Sequence, residues 1–449
     1  MTAMQYINTG YQKILTFECA SGGFNWWEGD DPGNAILSAV AVMMLTDTKM
    51  VYDTVDDAVI QRTADYLESV QRSDGSWSEE AHLHAGNENL GAGSLRATCY
   101  ITWALAHGGF MNAVPKAISH IKSKLPSEAE AYTRAMCANA LAASGEGGSL
   151  LSDVLSQFHD EAIVEDNAVH WSSTGDTMVN SGGNAADVEL TSLVALAMVG
   201  KGAFPQDVTG AVEWLVQSKD PQGNWGYNTQ ATVLALKTFI AALTANPGET
   251  DADVAVRFNG QVVAQKHFDN FNKDVLWQVE LMDGLLPESN VVELDYDGVG
   301  ALSYQIIATH YLPWEEADLP EGPLTITVQY DTTQLAVDDL VTATVTVTNN
   351  DESAKGMVLV TVGIPPGFTL VSQDLALLKS EGVIDNYEVM GKQLVVYLNE
   401  LPAGEPRVIT YSLVAQYPIK AETGGAEAKY YYNSEVKAEE ESQEIEVFE

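Results

Sequence analysis

The side chains able to do chemistry are few and scattered. Of eight histidines, His82 and His84 stand two apart in Ala81-His82-Leu83-His84-Ala85-Gly86-Asn87. A neutral imidazole is a competent nucleophile near neutral pH, and the plainer alternative is a pair of solvated loop histidines. His107, His120, His159, His170, His267 and His310 have no metal-ligand spacing, so no metal and no cofactor are expected. Adjacent carboxylates occur at Asp30-Asp31, just before Pro32-Gly33, and at Asp56-Asp57. Such pairs can protonate or ionise a substrate in an apolar cavity. Both also sit at expected helix starts, where a carboxylate stabilises the helix dipole. Cys19, Cys99 and Cys137 are the three cysteines. So odd and sparse a set provides neither a disulfide scaffold nor a zinc site. Cys99 and Cys137 lie in Thr98-Cys99-Tyr100-Ile101 and Met136-Cys137-Ala138, apolar helical settings in which they read as buried thiols.

The elements that must hold these residues change character near Ala245. Before it, apolar helices recur every ~35–50 residues, at Ala35 to Leu45, Arg96 to Leu105, Ala131 to Ala142, Val188 to Met198 and Ala231 to Leu243. They carry too few polar residues to wet a whole face, so neighbours must bury them. Gly22-Gly23-Phe24-Asn25-Trp26, Asp74-Gly75-Ser76-Trp77 and Gln222-Gly223-Asn224-Trp225 punctuate them. Glycine permits the tight turn and the ring plugs the junction between layers. Helix pairs with that punctuation predict an α/α toroid. The opening residues read as a helix running to about Phe17 and lacking a cap, as expected of a fragment.

After Asn246-Pro247-Gly248 the period falls to two. Val254 to Val263 reads as a hairpin around Asn259-Gly260. Strands are expected at Leu276 to Met282, Asn290 to Tyr296 and Ala301 to Tyr311. A Pro- and Glu-rich link, Leu312 to Gly322, leads to strands at Leu324 to Tyr330, Leu340 to Asn349, Gly356 to Ile364, Gln393 to Leu398 and Arg407 to Gln416. The alternation of Val341 to Thr348 fits a sandwich strand with one wet face. The acidic run Lys437 to Glu449 is read as a frayed end or an edge strand.

With 63 acidic against 22 basic residues, the formal charge is −41. That field repels phosphate backbones and anionic lipid, which argues against nucleic-acid or membrane-surface partners. No apolar run reaches the ~18 residues of a membrane span, and no signal peptide opens the chain.

The order of parts resembles the C-terminal third of the alpha-2-macroglobulin family, of bacterial type. Gly10-Tyr11-Gln12 on the entering helix, Asp166-Asn167-Ala168-Val169-His170-Trp171, Val188-Glu189-Leu190-Thr191-Ser192 and Asn228-Thr229-Gln230-Ala231-Thr232-Val233 carry the likeness. The resemblance implies a thioester-domain toroid over residues 1–245, without its first helices. It implies the second half of a CUB-like β domain over 246–313, a linker at 314–322 and a receptor-binding β-sandwich over 323–449. The thioester motif Cys-Gly-Glu-Gln does not occur in the chain, and Cys19, after the Gly-Tyr-Gln helix, cannot replace it. Counting back from Leu95 to Thr102, the family's acyl-transfer position falls on His84, or on His82 if the register slips by two.

By resemblance the chain is a non-catalytic part of an extracellular or periplasmic endopeptidase inhibitor. Target proteases and the upstream macroglobulin domains would be its partners. Two other readings stay open: an enzyme of terpene cyclase or prenyltransferase type, using the aspartate pairs, and a surface adhesion or binding protein acting through the sandwich.

Overall fold

A computed structural model describes residues 3–26, 31–77, 94–174, 177–179, 181–219, 223–225, 228–245, 248–273, 275, 277–300, 302, 304–308, 322–431 and 433–449. Asp30, His82, His84 and His310 lie outside the described residues.

The N-terminal part is helical: α1 (Ala3–Leu15), α2 (Ala35–Lys49), α3 (Asp57–Ser69), α4 (Ser94–His107), α5 (Val114–Lys124), α6 (Ala131–Ser144), α7 (Gly148–Glu161), α8 (Gly183–Lys201), α9 (Pro205–Gln217) and α10 (Thr229–Ala245). Composition sorts them into two layers. In α6, Ala135, Met136, Cys137, Ala138, Ala140 and Leu141 are all fully buried, so apolar residues face every direction. In α3, Val59, Ile60, Thr63, Ala64 and Leu67 are buried while Gln61, Arg62 and Asp65 are exposed, a single apolar stripe. Accordingly α2, α4, α6, α8 and α10 pack in succession as an inner arc, and α3, α5, α7 and α9 lie outside it. An ion pair between Lys237 of α10 and Asp47 of α2, 2.6 Å, links the two ends of the arc.

Three tryptophans repeat one joint between the layers. The indole N–H of Trp77 donates to the Leu67 carbonyl of α3, that of Trp171 to Phe158 of α7, and that of Trp225 to Leu215 of α9, at 2.7–2.8 Å. The backbone N–H of Trp77 donates to Thr98 Oγ1 of α4, and that of Trp171 to Thr191 Oγ1 of α8. Each ring therefore satisfies a last-turn carbonyl of an outer helix while filling the gap behind the next inner helix. Gly75 has to be glycine, because φ is +90° and a Cβ would stand 2.3 Å from the Lys116 carbonyl oxygen.

Cys99 and Cys137 are joined in a disulfide, which corrects the reading as buried thiols. Their separation of 38 positions carries no pairing signal. Only the packing of α4 on α6 brings their β-carbons face to face.

Next come a short hairpin already passed in the toroid, β1 (Ile163–Glu165) and β2 (Ala168–His170), and then β3 (Asp251–Phe258), β4 (Gln261–Asp269) and β5 (Val292–Val299). The last three form an antiparallel sheet in the order β4-β3-β5. Asn259 and Gly260 take φ +49° and +80°, as a tight primed turn requires. Residues 277–282 are not a strand, contrary to the alternation there; among the described residues no strand pairs with them. Nor do 302 and 304–308 form one.

The C-terminal sandwich contains β6 (Leu324–Tyr330), β7 (Gln334–Ala336), β8 (Leu340–Asn349), β9 (Lys355–Gly363), β10 (Phe368–Leu370), α11 (Ser372–Ser380), β11 (Asn386–Met390), β12 (Gln393–Leu401), β13 (Arg407–Ala415), β14 (Ile419–Glu422), β15 (Ala426–Tyr430), β16 (Asn433–Glu440) and β17 (Glu444–Phe448). Sheets β10-β13-β8-β6 and β11-β12-β9-β15-β16 face each other, with β14-β17-β7 at one side. Val341, Ala343, Val345 and Val347 of β8 are fully buried and the intervening threonines point outward. The acidic end is ordered as β16, at the edge of its sheet, and β17.

Candidate functional site

Where α4, α6, α8 and α10 begin, a polar network is sealed inside the toroid. Glu189, in the second turn of α8, is fully buried. Tyr132 donates its hydroxyl to Glu189 Oε2 at 2.6 Å, and Ser181 donates to Oε1. Asn228, ahead of α10, donates its amide to Ser181 Oγ at 2.7 Å, and the Ser181 backbone N–H donates to Thr177 Oγ1 at 2.8 Å. Arg96 of α4 lies 5.3 Å over the Tyr132 ring and pairs with Glu130 at 3.0 Å. Glu130 caps α6, accepting from the backbone N–H groups of Tyr132 and Thr133.

Burial raises the Glu189 carboxyl to about 7 against the hydrogen bonds from Ser181, Tyr132 and Thr177 and the charge of Arg96. Burial, then the negative charge of Glu189, drives the Tyr132 hydroxyl well above its ordinary value. Ser181 is 5% exposed and Tyr132 0%. Two surface grooves lie elsewhere, one beside Val292, Leu294, Tyr296 and Leu302, the other beside Met50, Ile60 and Phe110. The network can hold a proton and fix the heads of four helices.

The sequence candidates do not gather in this network. His82 and His84 belong to the undescribed segment that joins α4 at Ser94, two residues before Arg96. His107 pairs with Asp47, His159 with Asp207 and His267 with Asp253, while His170 stacks on Trp214 and His120 faces Asp74. Among the described residues no three metal-ligating side chains converge. Asp56 caps α3 through the Ala58 N–H, as a helix-start carboxylate should. Asp31 does not cap a helix: hydrogen bonds from the Ser21 hydroxyl and then from the Ser21 N–H, at 3.0 Å, lower its pKa, and Asn34 caps α2 instead. Glu189 and Arg96 were readable only as charges of opposite sign in otherwise apolar helices. Ser181, in a loop, gave no signal.

A profile of the A-macroglobulin TED domain matches residues 1–242, and one of the A-macroglobulin receptor binding domain matches residues 353–443. Complement C3 of Oncorhynchus mykiss is 22% identical over 427 residues, 89% of this chain and 25% of that protein. Thioester-containing protein 1 allele S3 of Anopheles gambiae is 22% identical over 309 residues, 66% of this chain and 21% of that protein. The chain thus spans about a quarter of the length of these relatives. In fold, native alpha-2-macroglobulin of Escherichia coli, spanning domain MG7 to the C-terminus, superposes with TM-score 0.66 at 14% identity, over 100% of this chain and 69% of that one. Salmonella alpha-2-macroglobulin reacted with methylamine gives 0.63 at 15%, over 97% and 27%. No helix among the described residues is long and apolar enough to cross a membrane. With a thioester-domain toroid followed by β-sheet domains ending in a receptor-binding sandwich, the chain belongs to the alpha-macroglobulin family.

Proposed function

We propose that the chain is the C-terminal portion of an alpha-2-macroglobulin-like endopeptidase inhibitor that traps proteases by conformational collapse. A thioester-domain match over more than half of the chain carries the reading. The chain contains no Cys-Gly-Glu-Gln, so the acyl donor belongs to another segment, and this part supplies the moving toroid and the terminal sandwich. Residues 246–313 are the second half of a CUB-like domain. Target proteases and upstream macroglobulin domains are the partners, and the compartment is extracellular or periplasmic, where a disulfide such as Cys99–Cys137 persists. The chain is not an enzyme; of the aspartates of the cyclase alternative, Asp56 caps a helix and Asp31 accepts from a turn.

His84 is the acyl-transfer residue in this proposal. In a protein that joins a Cys-Gly-Glu-Gln segment to this chain, protease opening then gives ester links to hydroxyls such as glycerol. Replacing His84 by Asn shifts capture toward amines by one or two orders of magnitude, the scale of one nucleophilic group. His82→Asn, the register control, leaves the ratio alone. Product ratios from radiolabelled glycerol and methylamine test this, and equal ratios in all three proteins would remove His84 from the mechanism. The chain alone takes up no methylamine; stoichiometric uptake by it would overturn the assignment of the bond elsewhere.

A further inference from the structure

The start of α8 is also where the terminal sandwich meets the toroid. Strand β16 packs against α8, and the contact falls on two consecutive glycines. A Cβ on Gly182 would stand 2.8 Å from Asn433 Nδ2, and one on Gly183, where φ is +54°, would stand 2.5 Å from Glu435 Oε2. Asn433 Oδ1 is buried there with no hydrogen-bond partner among the described residues. At contacts shorter than 3.0 Å one partner must shift. The ends of the Asn433 and Glu435 side chains can swing aside, but the positive φ of Gly183 strains any side chain placed there, so a β-branched residue at Gly183 disturbs both the turn and the seat of the sandwich.

Ser181 is covalently next to Gly182, and it is the residue that ties this loop to Glu189 and to Asn228. Thr177 holds the same loop through the Ser181 N–H. The turn that admits Asn433 and Glu435 on its outer side is therefore the turn fixed by Glu189 on its inner side. We propose that this turn is a joint through which docking of the terminal sandwich on the toroid and the hydrogen-bonded state of Glu189 constrain each other. Ionised Glu189 accepts from Ser181, Tyr132 and Thr177 together. Any change that removes one of its acceptor oxygens frees the turn and with it the glycine seat. The joint goes beyond the inhibitor reading and involves neither protease nor thioester, so it stands or falls separately.

The full chain tests the joint with two readouts: radius of gyration by small-angle X-ray scattering for docking, and amide hydrogen exchange at Ser181 and Thr177 for the turn. Gly183→Val is expected to enlarge the molecule and to speed exchange about tenfold, within the usual range for coupled sites. The pair Asn433→Ala/Glu435→Ala, made entirely on the sandwich, is expected to do the same and decides the matter if Gly183→Val impairs helix content. The discriminating variant is Glu189→Gln, which replaces an acceptor oxygen by a donor. It does not touch the sandwich, yet is expected to enlarge the molecule as well. A wild-type radius for Glu189→Gln, or seam variants that undock without changing exchange at Ser181, would overturn the joint. So would seam variants that remain docked.

Discussion

At Glu189 burial and hydrogen bonding act in opposite directions. Loss of water favours the protonated acid, while three hydroxyl donors and Arg96 favour the anion; burial wins, placing the carboxyl at about 7 against an ordinary 4.5. An acid whose pKa is raised on folding binds more protons folded than unfolded between those two values. Stability therefore rises as pH falls from about 7 toward 4.5, and the cost of the buried anion is fully present above 7. Glu189→Gln cannot titrate. The melting temperature of wild type relative to Glu189→Gln should thus climb as pH is lowered through that window and stay level above it. A difference that is flat across the whole range would show that Glu189 does not titrate there. Little of this was legible in the sequence, because a glutamate in an apolar helix looks the same whether it meets water, an ion or three hydroxyls.

Helices were the most legible elements because their burial is a property of composition. The apolar runs from Ala35, Arg96, Ala131, Val188 and Ala231 became the inner arc, and the Gly-Trp punctuation became the joints between layers. Short strands were harder. Trp277 to Met282 alternates as a strand should but lacks a described partner, while β14, Ile419–Glu422, is defined by pairing with β17 rather than by its own pattern. The pairing of α4 with α6 was illegible too, and so was its disulfide. That bond closes a loop of 38 residues, worth about 4 kcal/mol by restriction of the unfolded chain. Urea unfolding of the Cys99→Ala/Cys137→Ala variant should show a loss of about that size, with the slope altered by a more expanded unfolded state. Unchanged stability would mean that the packing of α4 on α6 alone sets the geometry of the arc.

On the scale of the molecule, one arc of helices, one small sheet and one sandwich are strung in series, and the sandwich returns to the arc at α8. The arc leaves apolar surface on its last helix, where Val233, Leu236, Ile240 and Leu243 of α10 are 43–66% exposed, and α1 buries only Tyr11. Such surfaces are unusual on a monomer, and they support the proposal that the toroid packs against further domains. Trapping by collapse makes a requirement that simple binding does not: the captured protease keeps its active site and loses access to large substrates. The most direct measurement is the rate at which an endopeptidase, mixed with equimolar protein containing this chain and its upstream domains, cleaves a short chromogenic peptide and a folded protein substrate. Peptide cleavage should persist while protein cleavage falls at least about tenfold, the difference expected of a steric cage. Parallel loss of both activities would indicate an active-site inhibitor, and undiminished cleavage of both would contradict the assignment of this chain to a protease trap.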